Sequence, residues 1–469
     1  MSEADVNGSE DATPDRCDLL VRGALLVATV DDDRREIEGG WVAISDGLVQ
    51  AVGGSADPMP AAERTVDATN CVVTPGFINT HHHIFQNLTR SYRPAVNGTL
   101  FQWLTTLYPR WAFLDEEAAY VSAWIGLAEL ALGGCTTSTD HLYVHPRGVG
   151  DLISAEIRAA QEVGVRFHPT RGSMSLSQKD GGLPPDSVVQ DDDEILSDSE
   201  RLVALHHDRT WGAMVRIALA PCSPFSVTPE LMRATAELAE RLDVRLHTHL
   251  AEDPDEDTFA EQTFGRRTIE QFEEVGWGSD RSWVAHCIYP NADEIVRLGK
   301  WGTGVAHCPS SNMLIGGGGI APVSEFRAAG VPVGLGCDGS ASTDSASLWM
   351  EARNALLLGR LRKGPTAMGA RDALEIATRG SAACLGREGE LGQLSPGAVG
   401  DLVCWPLEGV QFAGALTDPV EALLRCGPVA ARHTVVNGKL VVDDGTIVAP
   451  GESEMLARHR TISARIQGV

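Results

Sequence analysis

Residues 74–83 read TPGFINTHHH. A Pro-Gly turn opens a short apolar run, and the run ends in three imidazoles. On an extended chain, residues two apart share a face. His81 and His83 can therefore reach one ion together, while His82 points away. A lone His at a strand end is more often a solvated polar residue than a ligand. An HxH pair after an apolar run, with further His at later strand ends, points instead to a borderline divalent cation.

The same grammar recurs downstream. Apolar runs ending in polar residues include VRFHPTRGS (165–173), MVRIALAPCSP (214–224), VRLHTHLAE (244–252), SWVAHC (282–287), GVAHCPSSN (304–312) and VPVGLGCDGSAS (331–342). Between them lie stretches of helical spacing such as ELMRATAELAERLD (230–243). Repeated strand-then-helix over residues 72–386 predicts a parallel sheet closed as a distorted (β/α)8 TIM barrel. An open doubly wound sheet is the alternative. No GxGxxG follows the first strand, and the run Gly316–Gly319 lacks the strand-to-helix context of a phosphate cradle. Strand C-terminal ends form the active face of such a barrel, so imidazoles collected there mark the candidate site.

Within that set, His247 and His249 share a face, and spacing alone does not choose between them. Glu252, three residues after His249, could stand beside the metal rather than on it. His286 and His307 end later runs. Asp338 closes the last; a D-G-S sequence is often only a helix cap or turn, but in this company a carboxylate can bind metal and accept a proton from water.

The flanks read differently. Residues 17–71 and 387–469 show short period-2 strands with turns, including an Asn437-Gly438 hairpin signal. They are expected to pair into one small β-sandwich domain. Residues 1–16 are acidic and polar and read as a disordered leader without a secretory signal. Ten cysteines are scattered with no CxxC pair, as expected of reduced core thiols in a cytoplasmic protein. The chain carries 38 Lys plus Arg against 64 Asp plus Glu, a formal net charge of −26. That sign argues against nucleic acid or an anionic membrane as partner and leaves a small molecule as the expected one.

In order, TPGFINTHHH, HTHLAE, VAHC, HCPSSN and GCDGSAS resemble the amidohydrolase superfamily, in its branch of purine, pyrimidine and triazine deaminases. The resemblance runs from Cys17 to about Val448 and extends to the C-terminal ELGQLSPGAVGDLVCW and HTVVNGKLVV. Within the branch, HHHIFQNLTR, RFHPTRGSMSLSQKDGGLPPD and APCSPFSVTPELM are most similar to the bacterial 8-oxoguanine deaminases. What this implies is a hydrolase that removes the exocyclic amine of a free purine-like ring, 8-oxoguanine to urate plus ammonia, through metal-activated water. An s-triazine hydrolase is the alternative, and a catalytically dead scaffold a minor one. The resemblance assigns His81, His83, His249 and Asp338 to the metal and Glu252 to the proton shuttle. It assigns His286 to polarising the reacting centre, His247 to a supporting role and His82 to structure. Gln86 and Trp103 stand where relatives contact substrate. Arg171 ends a strand and could donate to a ring carbonyl, or could equally make a rim salt bridge. His141 and Tyr143 are further candidates for the pocket wall. Binuclear relatives bridge two ions with a carboxylated Lys on the fourth strand. VRFHPTRGS, read as that strand, has none, so one divalent metal per subunit is expected, Zn2+ first and Fe2+ second. Relatives of this kind are often homo-oligomers. The sequence departs from the family at TDSASL (343–348), just after Asp338.

Overall fold

In the computed structural model, which describes residues 15–469, eight parallel strands close into a barrel. They run in chain order: Phe77–Asn79, Cys135–Leu142, Arg166–Ser173, Ala218–Pro221, Arg245–Leu250, Ser282–His286, Gly304–His307 and Val333–Leu335. Leu335 pairs with Asn79 to complete the ring. Helices follow most strands, and several start on local capping chemistry. Thr228 accepts from Leu231 N ahead of Pro229, and Asn291 with Glu294 forms a reciprocal capping box. This is the expected (β/α)8 barrel, and every strand's C-terminal end opens on the same face.

The strand count corrects one step of the sequence reading. VRFHPTRGS is the third barrel strand, not the fourth. Residues 71–79 form two strands, of which Cys71–Pro75 belongs to the seven-stranded sheet and only Phe77–Asn79 to the barrel, while His82–His83 pair separately with Asp338–Gly339. The fourth strand is Ala218–Pro221, and Cys222 follows it. No lysine stands there either.

Two further sheets are built from the flanking segments, the first from N-terminal strands alone and the second from both ends of the chain. A four-stranded sheet orders Leu48–Gly53, Trp41–Ser45, Arg16–Arg22 and Ala61–Asp67. In a seven-stranded sheet, Leu402–Pro406 pairs antiparallel with Cys71–Pro75, joining the two termini of the chain directly. Leu19, Val42, Ile44, Val73, Leu402 and Val435 share one buried cluster between these sheets. Asn437 and Gly438 have φ of 50° and 73° and link His433–Val436 to Lys439–Asp443, the mirror-image turn an Asn-Gly pair favours. A buried ion pair, Arg166 with Asp401, ties these sheets to the barrel, and Asp401 also accepts from Asn437 N at 2.7 Å.

Two boundaries differ from the sequence reading. Of the expected leader, residues 1–14 lie outside the described residues, and Arg16 already pairs with Ala61 in a strand. At the other end, Glu452–Gln467 is a helix that docks on the barrel side, not on the sandwich. Ser463 Oγ and Gln467 Nε2 both donate to Leu88 O, at 2.6 and 2.8 Å. Its apolar residues Met455, Ile462 and Ile466 are buried and carry the helical spacing that a strand reading of this segment overlooked.

Candidate metal centre and pocket

The backbone is bent at the strand ends that carry chemistry. His286 and Asp338 have φ of 68° and 58°, a left-handed conformation unfavourable for residues with a Cβ. Both turn their side chains inward over the barrel mouth. Gly339 follows Asp338 because nothing larger fits: a Cβ there would lie 1.7 Å from Gln86 Oε1.

Four of the expected residues converge. Asp338 Oδ1 lies 3.2 Å from His81 Nε2 and 3.3 Å from His83 Nε2, and His83 Nε2 lies 3.1 Å from His249 Nε2. One nitrogen or oxygen from each of His81, His249, His286 and Asp338 falls within 4.8 Å of the others, as does one from each of His81, His83, His141 and His249. The geometry separates His249 from His247. His247 Nε2 is spent on His81 Nδ1 at 2.8 Å, and its Nδ1 faces Trp283 O at 2.9 Å. His82 turns away and hydrogen-bonds Asp338 O.

Supporting contacts fix the rings. His249 Nδ1 donates to Cys222 O at 2.6 Å, and His83 Nδ1 to His141 O at 2.7 Å, which leaves both Nε2 atoms free to ligate. Ser311 and Ser342 donate to Asp338 Oδ2, so Oδ1 alone faces the imidazoles. His286 Nδ1 donates to Asn312 Oδ1 at 2.9 Å. Its buried Nε2 makes no hydrogen bond and sits 3.6 Å from Glu252 Oε1.

The charges divide usefully. Burial holds His81 and His249 well below the ordinary imidazole range, so both are neutral donors of a lone pair. Burial opposes ionisation of Asp338 as well, but the His81 and His83 contacts prevail and hold it well below the usual carboxylate range. Glu252 goes the other way: burial first, then the Asp338 charge, push it up to about 8. One carboxylate is ionised and its neighbour protonated at neutral pH, the separation that acid–base chemistry needs. Neutral imidazoles with one carboxylate form a buried, mixed nitrogen–oxygen donor set that fits a divalent cation such as zinc.

A pocket opens beside this cluster. Gln86, Glu252, His286 and Asp338 line its polar side; Trp103, Leu104, Tyr108, Tyr143, Phe225 and Ile315 form a largely apolar wall. Trp103 Nε1 donates to Ala341 O at 3.0 Å, fastening the helix Leu100–Trp111 over the segment after Asp338. Gln86 and Trp103 both line this pocket. Arg171 does not line it: its fully buried guanidinium pairs with Asp198 at 2.7 Å and Gln190 Oε1 at 2.7 Å, the salt-bridge reading of that residue. The departing TDSASL segment folds against the site, with Thr343 Oγ1 on Ser345 O and Asp344 Oδ1 accepting from Ser91 N.

Of the two further pocket-wall candidates, Tyr143 lines the pocket and His141 joins the donor cluster instead; other participants carried little signal in the sequence. His141, on the second strand, stacks on His249 at 5.1 Å and joins the donor cluster; its place at a strand end was the available signal. Ser311, inside HCPSSN, and Ser342 had no signal beyond their neighbours. Tyr108, Phe225 and Ile315 reach the pocket from helices and loops whose orientation spacing does not reveal.

Residues 72–441 match the amidohydrolase family. The chain is 48% identical to an 8-oxoguanine deaminase of Pseudomonas aeruginosa, over 95% of this chain and 98% of that one. It is 39% identical to a hydroxydechloroatrazine ethylaminohydrolase of Pseudomonas sp. strain ADP, over 84% and 83% of the two chains. Among solved structures, a zinc complex of atrazine chlorohydrolase from Arthrobacter aurescens TC1 superposes with a TM-score of 0.90 at 34% identity, covering 95% of this chain and 100% of that one.

Proposed function

The chain belongs to the amidohydrolase family, hydrolases of carbon–nitrogen bonds, and we propose that it deaminates a free purine-like heterocycle, 8-oxoguanine first. The observation that carries this reading is a pocket lined by Glu252, His286 and Asp338 beside the His donor cluster, in a chain 48% identical to an 8-oxoguanine deaminase.

His81, His83, His249 and Asp338 would hold one divalent metal, Zn2+ in preference to Fe2+. When bound, such an ion lowers the pKa of water to about 7 and supplies the nucleophile. A single ion is supported by the absence of lysine from the fourth strand, where Cys222 follows Pro221. The remaining steps belong to the chain. Asp338 Oδ1 accepts the water's proton while Ser311 and Ser342 steady Oδ2. Glu252 gives its proton to the ring nitrogen next to the amine-bearing carbon, which lowers the aromatic resistance to attack. His286, aligned by Asn312, stabilises the charge that develops on the reacting centre. The ring would lie in the pocket lined by Trp103 and Gln86, and the amine leaves as ammonia after taking the proton that Asp338 accepted.

A second reading, an s-triazine hydrolase, draws on the ethylaminohydrolase relative and the triazine-hydrolase structures. Both rings offer an electron-poor carbon with a leaving group, so the metal set does not separate them. Purified metal-loaded protein should be incubated with 8-oxoguanine, guanine, isocytosine, cytosine and several aminotriazines, and ammonia release measured. Release from 8-oxoguanine supports the first reading; release from triazines alone overturns it. We further propose a cytoplasmic homo-oligomer. Ten unpaired cysteines suit a reducing compartment, and light scattering of the purified protein tests the oligomer.

A further inference from the structure

At the opposite end of the barrel from the metal centre, a cavity of about 250 Å3 opens among the starts of the third to sixth strands. Arg209, Arg216, Arg245 and Arg281 line it, and the lone carboxylate on its wall is Asp243. Asp243 is shared between Arg281 at 3.1 Å and Arg209 at 3.5 Å. Arg216 meets Glu390 at 3.2 Å. Among the described residues Arg245 has no carboxylate partner; its Nη2 donates to the carbonyls of Asp280 and Cys384 at 2.7 and 2.8 Å. This local excess of cations stands in a chain whose net charge is −26.

Residues that line the cavity also carry unpaired polar atoms. Nε of Arg216 and Nε of Arg245 are buried without a hydrogen-bond partner, and so are both ring nitrogens of His168, a residue 1% exposed. These side chains that line the cavity are thus not fully satisfied within the protein. Burial first, then the charges of Arg387 and Arg216, hold the His168 imidazole well below its ordinary range. Water can accept hydrogen bonds here but leaves the charge uncompensated; an anion does both.

The cavity is distinct from the catalytic pocket. His168 packs against Trp283 at 5.9 Å between ring centres; Trp283 stacks on His247 at 4.4 Å, and His247 in turn meets the ligand His81. Trp283 therefore plugs the barrel between the two.

We propose that this basic pocket on the barrel floor is a second ligand site, for a small multivalent oxyanion: free phosphate or the phosphoryl group of a small phosphorylated metabolite. Guanidinium groups suit such an anion because their planar N–H donors match its oxygens.

Calorimetry on the full chain, with inorganic phosphate in one arm and ribose 5-phosphate in the other at constant ionic strength, tests this. Saturable binding of one anion per chain is expected. A preference for phosphate identifies the free ion as ligand, and a preference for ribose 5-phosphate a phosphorylated metabolite. Arg245→Gln should weaken binding at least about tenfold. Asp243→Asn removes the one opposing charge and should tighten it at least about threefold. Asp243 has φ of 51° at a helix C-terminus, a conformation Asn tolerates, so this variant folds whatever Arg245→Gln does. No saturable binding, or an Asp243→Asn protein that binds no tighter than the parent, overturns the proposal.

Discussion

Replacing Glu252 with Gln changes little but the proton. The side chain keeps its shape beside His286 Nε2, 3.6 Å away, and loses the ability to ionise. In the parent, the folded carboxyl titrates at about 8 against an ordinary 4.5, first because it is buried and second because Asp338 is charged. A carboxyl raised in this way binds more protons folded than unfolded between those two values. Its contribution to stability is fully present below pH 4.5 and is lost as pH rises through about 8. At 1.36 kcal/mol per unit, the window from 4.5 to about 8 amounts to about 5 kcal/mol lost through this one group. Glu252→Gln stays neutral throughout, so urea unfolding of the metal-free proteins should show a shallower fall in stability from pH 5 to pH 8 in the variant. Part of the fall remains, because Glu256 and Glu351 are also pushed up to about 8 by burial. In the metal-loaded enzyme, kcat for ammonia release should drop by about 10²–10⁴, the usual worth of a positioned general acid. A variant whose kcat stays within about threefold of the parent, or whose stability follows pH with the parent's slope, would refute the assignment of Glu252 as a protonated donor.

Other consequences are simpler to read. Asp338→Ala should abolish turnover and lower retained metal, because it removes a ligand and the proton acceptor together; an active variant contradicts the mechanism. Elemental analysis should find one tightly bound divalent ion per chain, and two would contradict the argument from the fourth strand. Arg171→Gln should lower the unfolding free energy by about 1–3 kcal/mol through the lost pairing with Asp198, with KM unchanged; a KM effect without a stability loss would return Arg171 to the pocket. Arg166→Ala strands Asp401 in a buried site and should cost about 3–5 kcal/mol in chemical denaturation.

The periodic alternation of apolar runs and helical stretches, with polar residues at each run's end, carried the barrel and its active face in the sequence. The HxH spacing determined that His81 and His83 act together, because side-chain direction on a strand is a local property. Non-local facts were not readable that way. Choosing His249 over His247 needs the position of Trp283 O, to which His247 is committed. Glu252 is protonated and Asp338 ionised because of what buries and surrounds each, and those neighbours come from strands distant in sequence. Arg171 ends its strand as a ligand-binding residue would, yet Asp198 and Gln190 claim it from a helix and loop beyond the same strand. The C-terminal helix finds its place on the barrel through Leu88, far away in the chain. Local pattern set which residues face the barrel mouth; only tertiary packing decided which of them keep a free lone pair, a charge or a proton, since burial and partner contacts govern all three.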